Sequence, residues 1–446
     1  MQSWFCAALV ALAPMAGAAQ DAASETLLIR ASKLIVRPGQ ERQDVAILVQ
    51  RGRIVAVGEG LEAPEGAREI EGAVVCAGLV DPWTSIGVDP QAVNDPRTSA
   101  SARTAHAVDF WQGEHERAEA LRGGVTSARV QAGEKASVGG IGAVIRTGAE
   151  PDGDGLLHED ACVAVSIGLS RGRSAADIFD RVSEVGKITG LLDRGERYRE
   201  SWLKYEKDLE EWKKTIDESM EKLEKDFKKA KKDRDKKKKE AEEKDKEFKE
   251  KKFKEDKKPK APKFDADSEV LSRVASGELP LLVQAHRAEE IRNLLADTED
   301  MSNLRMVLVG ATEADHFADE LAERDIPVVL WPTPLGASRP SEWDGHDLAL
   351  AGRLERAGVR VLIGSGGLRN PRDLRLLAAI AVGHGLDREA ALNAITMEPA
   401  SVFDLGDRIG SVEQGKEADL LVLDGDPLDS TTQVQYVISA GRVWSE

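Results

Sequence analysis

The sequence predicts an α/β protein: a (β/α)8 barrel that carries a small β-sandwich built from both termini, with a long charged helical insertion. Three observations lead there. The middle of the 446-residue chain alternates eight near-continuous apolar runs with helical patterns, both ends are rich in short strands, and one charge-dominated segment interrupts the alternation. A strand buried on both faces reads as an unbroken apolar run. Strand–helix alternation of this length favours a barrel whose working face lies at the C-terminal strand ends.

Residues 1–19 form an apolar, alanine-rich start that closes on Ala16-Gly17-Ala18, the small-residue pattern of an export leader. A periplasmic or extracellular location follows as an expectation. The run is too short to span a bilayer as a helix. Residues 20–77 hold short strands at close spacing, among them Leu27–Arg30, Val45–Val49 and Arg53–Gly58, and residues 406–446 echo them with Ala418–Leu423 and Val434–Val443. Together these ends predict the sandwich.

The barrel occupies 78–195 and 264–405. Its eight expected parallel strands are Gly78–Pro82, Val125–Val130, Gly142–Thr147, Cys162–Gly168, Leu281–His286, Met306–Gly310, Pro327–Trp331 and Val359–Gly364. Residues 196–263 interrupt the order between the fourth and fifth strands, with 27 basic and 21 acidic residues. In the first half Tyr205, Leu209, Trp212, Ile216, Met220, Leu223 and Phe227 recur at spacings of three and four, a coiled-coil period. The second half has only Phe248 and Phe253 as large apolar residues before Pro259 and Pro262 stop any helix. A protruding helical arm or hairpin is expected.

A net charge of −17 argues against nucleic acid as a partner, because phosphate binding wants a basic face. In the lysine-rich insertion, acidic residues are interleaved throughout. Cys76 and Cys162 fall in different expected strands without metal-knuckle spacing, and read as buried structural thiols.

Two stretches carry a family resemblance. Val75-Cys76-Ala77-Gly78-Leu79-Val80-Asp81-Pro82-Trp83-Thr84-Ser85-Ile86-Gly87 resembles the first barrel strand of the amidohydrolase superfamily, which ends Gly-(Leu/Ile)-(Val/Ile)-Asp-x-His-x-His. The run Ala391–Ala400, followed by Gly410–Val422, is similar to the C-terminal signature of the branch related to imidazolonepropionase. The resemblance implies metal-dependent hydrolysis of C–N bonds, with ligands at His-x-His on strand one, Lys or Glu on strand four in some branches, His on strands five and six, and Asp on strand eight.

Here Trp83 and Ser85 stand in the two histidine places, strand four offers neither Lys nor Glu, and Gly366 stands where the acid would be. His286 ends strand five, Asp315 falls near the strand-six place with His316 one position off, and Ser365 precedes Gly366. Trp83, Ser85, His286, Asp315 and Ser365 are the candidate ligand-pocket residues. His286 itself is open to three readings: a vestigial ligand, a pocket hydrogen-bonder, or a rim histidine. Tetrahedral zinc needs at least three protein donors. His106 and His115, beside Asp109, Glu114 and Glu116, are weak metal candidates that could join His286, although surface helix residues explain them more simply.

The sequence therefore leads to an exported chain of hydrolase lineage that has lost catalysis and acts by binding a small molecule, or a protein partner through the 196–263 arm. No cofactor is expected. Zinc enters only under the alternative, an active amidohydrolase with a non-standard site. Self-association stays open.

Overall fold

A computed structural model of the chain describes residues 26–95, 97, 99–111, 113–133, 136–151, 153, 155–167, 178–240, 257–332, 347–366 and 371–445. Residues 1–19, where an export leader is expected, and the insertion's Phe248 and Phe253 lie outside them.

Among the described residues fifteen strands form two sheets. The first contains β1 (Leu27–Arg37), β2 (Gln40–Gln50), β3 (Arg53–Gly58), β4 (Arg68–Ala77), β13 (Leu420–Leu423), β14 (Val434–Ser439) and β15 (Arg442–Ser445), in the order β15-β14-β13-β4-β1-β2-β3. The termini join where β4 and β13 pair antiparallel, Leu420 opposite Ala77 and Val422 opposite Val75. The sheet curls so that Ile54 N–H donates to the Lys416 carbonyl at 2.9 Å. Leu27, Ile29, Leu34, Ile47, Val75, Leu420 and Ile438 form its own core. This alternate-residue pattern marks one buried sheet face.

The second sheet is the barrel: β5 (Leu79–Thr84), β6 (Val125–Val130), β7 (Val138–Arg146), β8 (Leu156–Ser166), β9 (Leu281–Ala285), β10 (Met306–Gly310), β11 (Val328–Leu330) and β12 (Val361–Ile363), in sequence order. The barrel departs from the expected all-parallel arrangement in one strand. β7 pairs antiparallel with both β6 and β8. The links on its two sides, residues 131–137 and 147–155, are shorter than a parallel crossover requires, so the chain makes hairpins. Among the described residues no helix links β6, β7 and β8, and Arg103 bridges Ile141 of β7.

The two sheets are locked by buried charge. Arg146 at the end of β7 donates to Glu417 and, at 2.5 Å, to Asp419, and all three side chains are buried. Asp419 also accepts the Ala440 N–H at 2.8 Å, and Glu417 takes Arg408 at 2.7 Å. The Glu-x-Asp of the C-terminal signature is thus the anionic half of this lock.

A single 63-residue helix, Ile178–Glu240, follows β8. At 1.5 Å per residue it is roughly 95 Å long. It begins well before the expected boundary at 196, because the helix that should close the β8 crossover continues without a proline into the charged insertion. Val185, Ile188 and Leu192 are buried in the barrel's outer core, and Arg194 pairs with Asp265 at 2.6 Å. Farther out Leu203, Met220 and Leu223 are exposed. Among the described residues no helix is long and apolar enough to cross a membrane.

Because only the base of this helix packs on the barrel, replacing residues 200–262 with a short Gly-Ser bridge should leave the melting temperature within about 3 °C of the full chain. Calorimetry checks this. Loss of a cooperative transition would make the arm an integral part of the barrel.

Candidate functional site

Side chains of the barrel strands alternate between two environments. Val163, Leu281, Val283, Leu308, Val328 and Ile363 face outward into the shell beneath the helices, while Val80, Val144, Cys162, Leu282, Val307, Val309, Val329 and Leu362 fill the interior. This two-residue period is the rule for barrel strands. On β6 the inward register is polar. Ser127 and Arg129, with Gln131 just beyond, alternate with outward Ala128 and Val130, and all are buried.

Arg129 is fully buried, and its guanidinium stacks on the Trp83 indole with Cζ 4.5 Å from the ring centroid. Its Nε donates to Cys162 Sγ at 3.2 Å and its Nη2 to Gln131 Oε1. Gln131 is held in turn, because its Nε2 donates to the carbonyls of Ala132 (2.8 Å) and Gly139 (2.9 Å). Gly142 on β7 makes room for the cluster. A Cβ there would lie 2.8 Å from Gln131 Oε1, 2.9 Å from Cys162 Sγ and 3.0 Å from Arg129 Nε. Arg129 Nη1 and Ser127 Oγ are buried without a hydrogen-bond partner.

Asp81, also fully buried, staples the barrel shut. The end strands β5 and β12 share no ladder. Asp81 Oδ1 instead accepts the N–H groups of Trp83 (3.0 Å) and Ser365 (3.1 Å), and Gly366 N–H donates to the Trp83 carbonyl at 3.1 Å. Burial pushes the Asp81 carboxyl up to about 6, against the lowering pull of the Ser365 hydroxyl, the two N–H groups and the Arg129 charge. The Ser365 hydroxyl is near enough to exert that pull, but it is not in hydrogen-bond geometry, and Asp81 Oδ2 has no partner.

The candidates from the sequence separate into two groups. Trp83, His286 and Ser365 are buried at the strand ends. The His286 ring lies against the bare face of Gly310, where a Cβ would sit 2.4 Å from Cε1, and meets Trp331 edge-on at 6.0 Å between centroids. Ser85 is half-buried in the turn after β5, its carbonyl accepting Val88 N–H at 3.2 Å. Asp315 lies on a 3-10 turn five residues past β10, and Arg353 of the outer helix Leu350–Arg356 takes its carboxylate at 2.9 Å. His106 and His115 are exposed on the segment after β5, whereas His286 is buried, and the three form no cluster. Among the described residues no three His, Cys, Asp or Glu side chains form a group able to hold a metal ion.

Sequence reasoning passed over Asp81, Arg129 and Gln131. The signal for the last two was present: polar residues at every second position of an otherwise apolar strand mark the inward face. Cys162 read as a structural thiol, and it is also the sulfur that Arg129 contacts. Burial pushes the Cys76 thiol up to about 12, which keeps it inert.

A half-open cavity lies away from the mouth, at the junction of the two sheets. It measures about 280 Å³, between helix Glu114–Arg122 on one side and Tyr436, Val437 and Trp444 on the other.

Comparison with known proteins places this geometry. Residues 338–444 match the Amidohydrolase family. The imidazolonepropionases of Thermoanaerobacter pseudethanolicus and Caldanaerobacter subterraneus are each 30% identical over 128 residues, which is 27% of this chain and 31% of theirs. The chain thus spans about a third of the length of the curated relatives it matches. An amidohydrolase from Thermotoga maritima superposes over 94% of this chain and 100% of its own, with a TM-score of 0.69 at 24% identity, a likeness of fold.

The Asp81 proton carries a testable consequence. The unfolded chain releases it near the ordinary 3.8 and the folded chain only near 6, so the unfolded state gains as pH rises between those values. The Asp81 contribution is fully present below about pH 4, and roughly 3 kcal/mol of it is lost by pH 7. Denaturant titrations at pH 4 and 7 should show that Asp81→Asn loses less stability on this rise than the parent does. Identical losses in both proteins would contradict the assignment.

Proposed function

Because the chain belongs to the amidohydrolase superfamily, we propose that it descends from metal-dependent C–N bond hydrolases and has exchanged hydrolysis for binding. One observation carries this: the positions that should supply donors do not carry them. Trp83 presents an indole, Ser85 only a hydroxyl, Asp315 is paired with Arg353, and Gly366 has no side chain. Among the described residues His286 belongs to no group of three His, Cys, Asp or Glu side chains able to hold a metal ion.

The residues present do not fit a divalent ion. A guanidinium already lies on the Trp83 ring, and tetrahedral zinc requires at least three donors and an ordered supporting shell. Fold alone does not carry activity across a superfamily.

Binding has two supports. The 280 Å³ junction cavity offers a small molecule a mixed surface, with Leu121 and Val437 beside Trp444 and the Arg117 and Glu114 side chains. The exposed apolar residues of the long helix offer a protein partner the outer arm. We also propose that residues 1–19 direct export, which places this binding outside the cytoplasm.

An assay against N-acyl amino acids, dipeptides and cyclic amides, with added zinc, manganese or iron, tests the reading. Turnover should equal the buffer blank in every case. Hydrolysis that a chelator abolishes would establish instead an active amidohydrolase with a rebuilt site.

A further inference from the structure

The mouth of this barrel contains a buried positive charge of its own. Arg129 is fully buried, and among the described residues no carboxylate lies within ion-pair distance of it. Its charge is balanced by softer means: the face of the Trp83 indole, the side-chain carbonyl of Gln131 and the field of Asp81. We infer that Arg129 is the resident cation of the barrel, its guanidinium taking the electrostatic place that a divalent ion would hold against the end of β5. The inference rests on the proposed loss of the metal ligands and adds the reason that the loss is locked in.

Three features make the cation permanent. Its carbon end is rooted on β6, and its Nε and Nη2 are fixed by Cys162 and Gln131. Gln131 cannot release it easily, since its own amide is tied to two backbone carbonyls. Finally, the glycine at 142 leaves the space that the guanidinium, Gln131 and Cys162 share, so the neighbouring strand is shaped around the cluster. A divalent ion brought to the same pocket would meet a like charge with little water to screen it. Restoring histidines at positions 83 and 85 would therefore not restore metal binding while Arg129 stays.

The test uses full-length protein and zinc alone. Trp83→His/Ser85→His is compared with the same pair carrying Arg129→Met, and with the pair carrying Arg129→Lys, which keeps a charge. Each is equilibrated with zinc, dialysed, and analysed for zinc per chain, with circular dichroism and melting curves as checks on folding. The Arg129 and Lys proteins should retain under about 0.1 zinc, and the Met protein about one, a tenfold contrast. Arg129→Gln substitutes for the Met variant if that one does not fold. Stoichiometric zinc in the pair with Arg129 intact would overturn the inference. So would a folded Met or Gln protein that stays empty. Zinc bound by the unmutated chain would defeat the proposed ligand loss instead, which keeps the two failures apart.

Discussion

A guanidinium sealed inside a β-barrel constrains everything around it. Arg129 is fully buried and among the described residues has no paired carboxylate, so each neighbour must supply part of its solvation: an aromatic face from Trp83, a carbonyl from Gln131, a sulfur from Cys162. Burying an ion costs several kcal/mol even after relaxation, and such a group persists only where its surroundings compensate. That requirement accounts for the glycine at 142, where a Cβ would crowd Gln131, Cys162 and Arg129. It also accounts for a large indole at the end of β5, where a smaller residue would leave the charge beside a void.

The same barrel is closed and anchored by carboxylates in quite different settings. Asp81 closes it from within by collecting two backbone N–H groups where β5 and β12 fail to pair. Glu417 and Asp419 anchor it from without by holding Arg146 against the terminal sheet. The first carboxyl is raised by burial. The second pair faces a guanidinium, and breaking such a buried contact by removing one partner typically costs about 3–5 kcal/mol. The signatures that marked the family resemblance are accordingly structural here: Asp81 ends the first motif, and Glu417 and Asp419 lie within the last.

Much of this was legible in the sequence, and the limits are instructive. A continuous apolar run marked β10 to the residue, because a strand buried on both faces needs no polar side chains, and β6 matched its expected bounds although Ser127 and Arg129 interrupt its apolar pattern. The reversal of β7 escaped that reasoning, since periodicity reports burial and not direction. Only the short links at 131–137 and 147–155 could have revealed it. The long helix starts ahead of the charged insertion because a crossover helix and a charged arm share one unbroken helical sequence. For the site, absent ligands at 83 and 85 were readable, whereas Arg129 was hidden inside a strand scored as apolar. Asp315 looked plausible by spacing, but five residues of turn carry it out to Arg353.

The central claim is that the cation of this barrel is a side chain. Diffraction from crystals soaked in zinc, with data collected on both sides of the zinc absorption edge, tests it directly. The account predicts guanidinium density over the Trp83 ring and no anomalous peak among Asp81, Trp83 and His286. A strong peak there, with Arg129 displaced from the indole, would contradict it.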